Sequence, residues 1–135
     1  MAEQNKFCKA ALEELCGCQL RQTAMLNISD RLRALDLQLE QTHGAREQTA
    51  LAKQRNRLFA ELQVLRLETG RCARAFSELG GRERYVLEHM YVLKEPVFDI
   101  MEALTIEKSA FYRLRRRALR TFVRALYGID PYEED

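Results

Sequence analysis

Apolar side chains recur at spacings of three and four along most of the chain, which is the pattern of amphipathic helices. The first clear stripe ends near Thr42-His43-Gly44 and consists of Met25, Ile28, Leu32, Leu35 and Leu39. The second has only two polar members and consists of Leu51, Arg55, Leu58, Leu62, Leu65, Thr69, Cys72, Phe76 and Leu79. Two long helices joined by a short turn are predicted to form an antiparallel coiled-coil hairpin.

The second helix of this hairpin is predicted to be too long for one compact core. From Leu51 to Leu79 it spans roughly 40 Å at about 1.5 Å per residue, and Gly70 marks a kink or a break within it. Its leucine surface is covered either by the hairpin partner with a helix around residues 7–15, or by a second copy of the chain. Because one hairpin leaves much apolar surface exposed, we expect a homodimer.

Two adjacent glycines, Gly80 and Gly81, interrupt the helical pattern. Paired glycines raise the entropy cost of continuing a helix, and glycine readily adopts the left-handed conformation of a helix end. We therefore predict a helical arm at residues 1–79, a second domain at residues 80–128 and an acidic tail at residues 129–135.

The second domain begins with one predicted helix over residues 82–91, which ends before Pro96. Its inward positions are predicted to be Tyr85 or Val86, then Met90 and Leu93. A short segment with one apolar face follows at residues 97–104, and a long basic amphipathic helix begins a few residues later. A short helix, a tight turn and a long basic helix are the layout of a helix-turn-helix.

The spacing of apolar residues supports this motif. Four of them stand where its two helices pack together, namely Ile100, Leu104, Ile106 and Phe111. Met101 replaces the usual small residue, but its flexible side chain can turn away from a close contact. Thr105 replaces the usual turn glycine, and we expect it to cap the following helix instead.

The charge distribution distinguishes the last helix from the rest of the chain. The net charge is only +2, and residues 1–79 carry 12 basic and 10 acidic side chains. Residues 108–135 carry 7 basic and 4 acidic side chains, and all four acids follow Gly128. A solvated helix surface normally has acids interspersed among its bases. Seven unopposed positive charges on one helix instead indicate contact with DNA.

The buried stripe of the last helix is predicted to be Phe111, Leu114, Ala118, Leu119, Phe122 and Leu126. The opposite face holds the predicted DNA contacts, which are Lys108, Ser109, Tyr112, Arg113, Arg116, Arg117 and Arg120. The N-terminal part of a recognition helix reaches base edges, so the first four are predicted to read sequence. The last three are predicted to hold phosphates of double-stranded DNA.

Composition excludes several other classes. Hydrophobic residues make up 47% and charged residues 31%, which suits a helical protein of the cytosol. No run approaches the roughly 18 uncharged apolar residues of a membrane helix, and no secretory segment is evident. The four cysteines lack the spacing of a zinc site and are expected to be reduced thiols. No catalytic grouping is present, so we expect no enzyme, no cofactor and no metal.

The second domain resembles region four of bacterial sigma factors and, more closely, phage late-transcription regulators of the ArpU/RinA type. The matching residues near its start are Leu79, Arg82, Glu83, Arg84, Val86, Leu87 and Tyr91. Those further on are Asp99, Ile100, Leu104, Ile106, Phe111, Tyr112, Arg113, Leu114, Ala118 and Leu119. The resemblance covers roughly the last 50 residues and implies a phage or prophage regulator that binds promoter DNA. It leaves contact with RNA polymerase open.

Two other functions fit the same pattern. A small terminase subunit also joins a helix-turn-helix to a helical oligomerisation arm and recognises viral packaging DNA. A protein-interaction module would use the basic helix to bind an acidic partner, or the acidic tail of the chain itself. The leading hypothesis is a dimeric, sequence-specific transcription regulator of the all-α class.

Overall fold

The computed structural model describes residues 2–132 and the side chains of residues 6–132. Within that range the chain is all-α and contains no strand, which confirms the predicted class. The helices are α1 (Ala2–Cys16), α2 (Cys18–Gln41), α3 (Ala45–Ser77), α4 (Gly81–Leu87), α5 (Val97–Leu104) and α6 (Lys108–Tyr127). A π-helical segment, Glu88–Val92, follows directly on α4.

Residues 19–70 form one compact unit, made of most of α2 and the greater part of α3. The side chain of Arg55 bonds to Asp36, and the hydroxyl of Thr69 donates to the sulfur of Met25 at 3.5 Å. Later positions of α3 thus contact earlier positions of α2, so the two helices run in opposite directions. Each helix buries one member of its predicted apolar stripe in this unit, Leu35 in α2 and Leu62 in α3.

Of the described residues, 2–18 and 71–132 form the other compact unit. Its larger core draws on α1, the end of α3, α4 and α6, and its buried members are Ala11, Leu15, Cys72, Ala75, Leu79, Leu87, Ala118, Leu119, Phe122 and Val123. The rings of Phe76 and Phe122 meet edge to face with centroids 6.2 Å apart. α6 is therefore held along its length by side chains from the start and the middle of the chain.

A second core in the same unit joins α4, α5 and the N-terminal half of α6. Its buried members are Val86, Ile100, Phe111 and Leu114. Leu104 and Ile106 pack against them, so the four apolar positions predicted to join the two helices lie in one cluster. This packing sets the orientation of the first turns of α6, and it leaves the opposite face of α6 exposed.

The boundary predicted after residue 79 does not coincide with the division between the two compact units. α3 continues without interruption through Gly70, and its apolar stripe beyond that residue enters the core that contains α6. α1 enters the same core through Ala11 and Leu15. The compact units are defined by this long-range packing, which the position of the glycine pair does not reveal.

The predicted helix over residues 82–91 contains a change of helix type. The backbone N–H of Leu93 bonds to the carbonyl of Glu88 at 2.9 Å, five residues back. Such a turn holds an extra residue and rotates the side chains that follow it. Leu93, predicted to face inward, is 47% exposed, whereas Tyr91 and Val92 pack against the larger core. The prediction for Leu93 was wrong for this reason.

Thr105 ends α5 and does not cap α6, contrary to prediction. Its backbone lies in the left-handed region, with φ 55° and ψ 51°. The N–H of Thr105 bonds to the carbonyl of Glu102, and that of Ile106 bonds to the carbonyl of Met101, both at 3.1 Å. This is the Schellman arrangement, in which glycine usually occupies the left-handed position. Glu107 takes the N-cap position of α6 and makes no side-chain capping bond.

Replacing Thr105 by Gly is expected to raise the free energy of unfolding by about 1 kcal/mol. A left-handed conformation is costly for a β-branched residue, and this gain exceeds the added entropy of glycine in the unfolded chain. Urea denaturation followed by circular dichroism measures the change. Thr105→Ala keeps a Cβ and is the matched control, with a smaller expected gain. A loss of stability in the glycine variant would contradict the strain at this position.

Candidate nucleic-acid interface

α6 separates its apolar and polar side chains along its whole length. The inner face buries Phe111, Leu114, Ala118, Leu119, Phe122 and Val123. All of these except Val123 belong to the predicted stripe, whereas the predicted Leu126 is partly buried. The outer face exposes every predicted contact residue, namely Lys108, Ser109, Tyr112, Arg113, Arg116, Arg117 and Arg120. One continuous polar surface therefore combines all the predicted site residues.

The N-terminal end of this surface contains Lys108, Ser109, Tyr112 and Arg113. Among the described residues, neither Lys108 nor Arg113 belongs to an ion pair. The exposed ring of Tyr112 lies edge to face with the buried ring of Phe111, with centroids 5.2 Å apart. Several hydrogen-bond donors and one aromatic ring are thus available to a ligand at the start of the helix.

Arg117, in the middle of the outer face, pairs with an acid from another helix. Its Nε lies 3.3 Å from Oε1 of Glu83 in α4. The Arg117 side chain remains 67% exposed. The Glu83 side chain is only 18% exposed, but solvent reaches the pair from the arginine side and screens it. The pair is thus expected to contribute about 1 kcal/mol, so a phosphate can compete for the guanidinium.

Arg116 and Arg120 stay exposed, but the segment that follows α6 contacts both of them. The centroid of the Tyr132 ring lies 4.1 Å from the guanidinium carbon of Arg116 and 5.5 Å from that of Arg120. Arg120 also donates from Nε to Oδ1 of Asp130 at 3.2 Å. The two arginines predicted to hold phosphates at this end of the helix therefore have partners within the chain.

The protonation states of Asp130 and Tyr132, in the segment after α6, suit their position beside two arginines. The backbone N–H of Tyr132 donates to the Asp130 carboxylate, and together with nearby Arg120 it lowers the pKa of Asp130. Burial, together with the neighbouring Cys8, raises the pKa of Tyr132 to about 12. Near neutral pH the segment thus presents a carboxylate and a neutral phenol ring to the guanidinium groups.

The charges of α6 are therefore not unopposed, contrary to the expectation from the sequence. Glu83 reaches Arg117 from α4, and Asp130 reaches Arg120 from beyond the helix. Acids absent from a helix in sequence can lie beside it after folding. The N-terminal end of the outer face is the part without such neighbours among the described ion pairs.

Further arginines lie beside the predicted set. Arg115 donates from Nε to the Tyr91 hydroxyl at 2.7 Å, which links α6 to the π-helical segment. A groove near the C-terminal end of α6 is lined by Arg71, Arg74, Ala75, Glu78, Thr121, Arg124 and Ala125. Arg124 continues the spacing of Arg113, Arg117 and Arg120, so helical periodicity was a sufficient signal for it. Arg74 comes from α3, and only the folded chain brings it to this groove.

The described residues contain no group of three or more His, Cys, Asp or Glu side chains that could hold a metal ion. The cysteines are free thiols, and Cys72 lies in the larger core while Cys16 is exposed. Among the helices within residues 2–132, none has the length and apolar character needed to cross a membrane.

Comparison with protein-family models, with curated proteins and with solved structures found no match to this chain.

Proposed function

We propose that the protein is a sequence-specific DNA-binding transcription regulator, encoded by a phage or prophage, that acts at promoter DNA through the outer face of α6. The observation that supports this most directly is the exposed surface from Lys108 to Arg120, which contains many donors and no acidic side chain of its own helix. Duplex DNA offers a dense array of phosphate acceptors to such a surface.

In this proposal α5 and α6 are the two helices of a helix-turn-helix, and α6 is the recognition helix. The shared core of Ile100, Phe111, Leu104 and Ile106 supports the assignment, because it joins the two helices at the expected spacing. The resemblance to sigma region four is consistent with the same order of elements. Lys108, Ser109, Tyr112 and Arg113 then reach base edges, while the later arginines contact phosphates.

The proposed dimer uses the hairpin of α2 and α3 as a coiled-coil arm. Within residues 19–70, large apolar side chains remain exposed, and these are Leu20, Leu26, Leu37, Phe59, Val64 and Leu67. Large apolar side chains left open to water on both helices favour association. Sedimentation equilibrium tests the assembly: a dimer supports the regulator, whereas a ring of eight or more subunits would favour a terminase subunit.

The DNA-reading role is tested at Arg113, which is proposed to make two hydrogen bonds to a guanine. The target duplex is first selected from a random pool and sequenced. A second duplex has that guanine replaced by another base. Arg113→Ala is expected to reduce the difference in binding free energy between the two duplexes by about 1 to 3 kcal/mol. Arg113→Lys keeps the charge but loses the paired geometry, so it is expected to keep affinity for unrelated DNA and lose discrimination.

The matched control is Arg57→Ala, which removes an exposed arginine from α3. It is expected to leave discrimination unchanged. If Arg113→Ala and Arg116→Ala both left the affinity for every tested duplex unaltered, DNA binding by α6 would be refuted. The contacts of Asp130 and Tyr132 favour a second candidate in that case, in which the basic face binds an acidic segment of protein.

A further inference from the structure

We propose that the segment from Asp130 to Tyr132 is an intramolecular competitor of DNA, which occupies Arg116 and Arg120 and must leave them before phosphates can bind. This inference rests on the proposed function, since it concerns the same face of α6. It assigns an inhibitory role to the segment after the helix.

The chain reverses onto the helix through a glycine. Gly128 ends α6 with φ 73° and ψ 14°, and its N–H bonds to the carbonyl of Arg124 at 2.8 Å. This left-handed conformation is readily adopted by glycine and strained for other residues. The chain that follows turns back toward the preceding turns of the helix, where Arg116 and Arg120 lie.

Two contacts hold the segment against the rest of its unit, and one internal hydrogen bond fixes its turn. Pro131 is fully buried, and the Asp130 carboxylate accepts the N–H of Tyr132 at 2.9 Å. The thiol of Cys8 in α1 donates to the Tyr132 hydroxyl at 3.8 Å. These contacts place the ring over Arg116 and the carboxylate beside Arg120, so the position of the segment is set by tertiary structure and not by charge attraction alone.

The segment and a phosphate need the same groups. A phosphate oxygen accepts the guanidinium N–H bonds, and Asp130 already accepts one of those of Arg120. The Tyr132 ring covers one face of Arg116 and limits the directions from which a DNA backbone can approach it. Exposed ion pairs and cation–π contacts are individually weak, so DNA can displace the segment at a small loss of affinity.

The test compares three full-length variants in duplex binding measured by fluorescence anisotropy. Tyr132→Ala removes the ring without changing the net charge and is expected to tighten binding by about two- to fivefold. Asp130→Asn is expected to tighten it by a similar factor, about two- to fivefold. Tyr132→Phe keeps the ring over both arginines and loses only the long 3.8 Å contact with Cys8. It is the matched control, and its affinity is expected to change by less than that of Tyr132→Ala. Thermal unfolding of each variant reports whether the fold is retained, and an unfolded variant would lose binding and not gain it.

A second measurement follows the segment without relying on affinity. In the free protein, the ring current of Tyr132 is expected to shift the NMR resonances of the Arg116 side chain, and Tyr132→Ala is expected to abolish that shift. Addition of duplex is expected to abolish it in the wild type too. If the wild type binds DNA while neither alanine nor asparagine variant binds more tightly, the competition is refuted and the proposed function stands. If neither the wild type nor any variant binds a duplex, both the competition and the proposed function are refuted.

Discussion

Raising the monovalent salt concentration from about 50 to 200 mM is expected to weaken binding of the dimer to duplex DNA about ten-thousandfold. Each phosphate that is neutralised releases condensed counterions, and log affinity falls with log salt by about 0.9 per contact. With roughly four phosphates held by each subunit, a dimer holds about eight and the slope is about −7. Anisotropy of a labelled duplex across a salt series measures this slope.

Two charge-matched variants locate the contacts. Arg117→Gln is expected to reduce the steepness of the slope by about 2, because the dimer loses one phosphate contact in each subunit. Arg57→Gln removes the same charge from α3 and is expected to leave the slope unchanged. A wild-type slope near −1 would contradict the whole interface. Equal changes in the two variants would contradict its placement on α6.

Replacing Phe122 by Ala is expected to lower the free energy of unfolding by about 3 to 5 kcal/mol. Phe122 is 0% exposed and lies where α6 meets the end of α3, with its ring against Phe76. Truncation removes buried apolar surface and leaves a cavity that the neighbouring helices fill only in part. Since a typical domain is stable by only about 5–15 kcal/mol, the variant would lose a large share of that stability.

Urea denaturation followed by far-UV circular dichroism measures this loss. Phe98→Ala is the matched control, because Phe98 in α5 is 70% exposed and has little packing to lose. Its expected change is within about 0.5 kcal/mol. A comparable loss in the two variants would mean that the inner face of α6 is not the core described above.

Much of the helical structure could be predicted because its signal is local. The stripe from Met25 to Leu39 predicted α2, and the turn at residues 42–44 was predicted where the structure has it. The repeat that begins at Leu51 predicted α3, although the helix starts six residues earlier at Ala45. A 3.6-residue period identifies a helix and its apolar face from neighbours in sequence, but it does not identify what that face contacts.

The candidate site was predicted as one face of α6 for the same reason. The apolar positions from Phe111 to Phe122 determine which side chains of this helix are turned outward, and all seven predicted contact residues are exposed. The helix type after Leu87 and the left-handed Thr105 were not predicted, because each depends on how the flanking helices pack. Leu93 consequently lies outside the core.

The sequence by itself thus determined the all-α class, the apolar stripes and the basic outer face of the last helix. Only the tertiary structure decided that α1 and the end of α3 complete the core under α6, and that Glu83, Asp130 and Tyr132 lie against its arginines. Helical periodicity arises from backbone hydrogen bonds between near neighbours. The partners of the outer face come from positions far along the chain or beyond the helix end, and their contact depends on the packing of the whole unit.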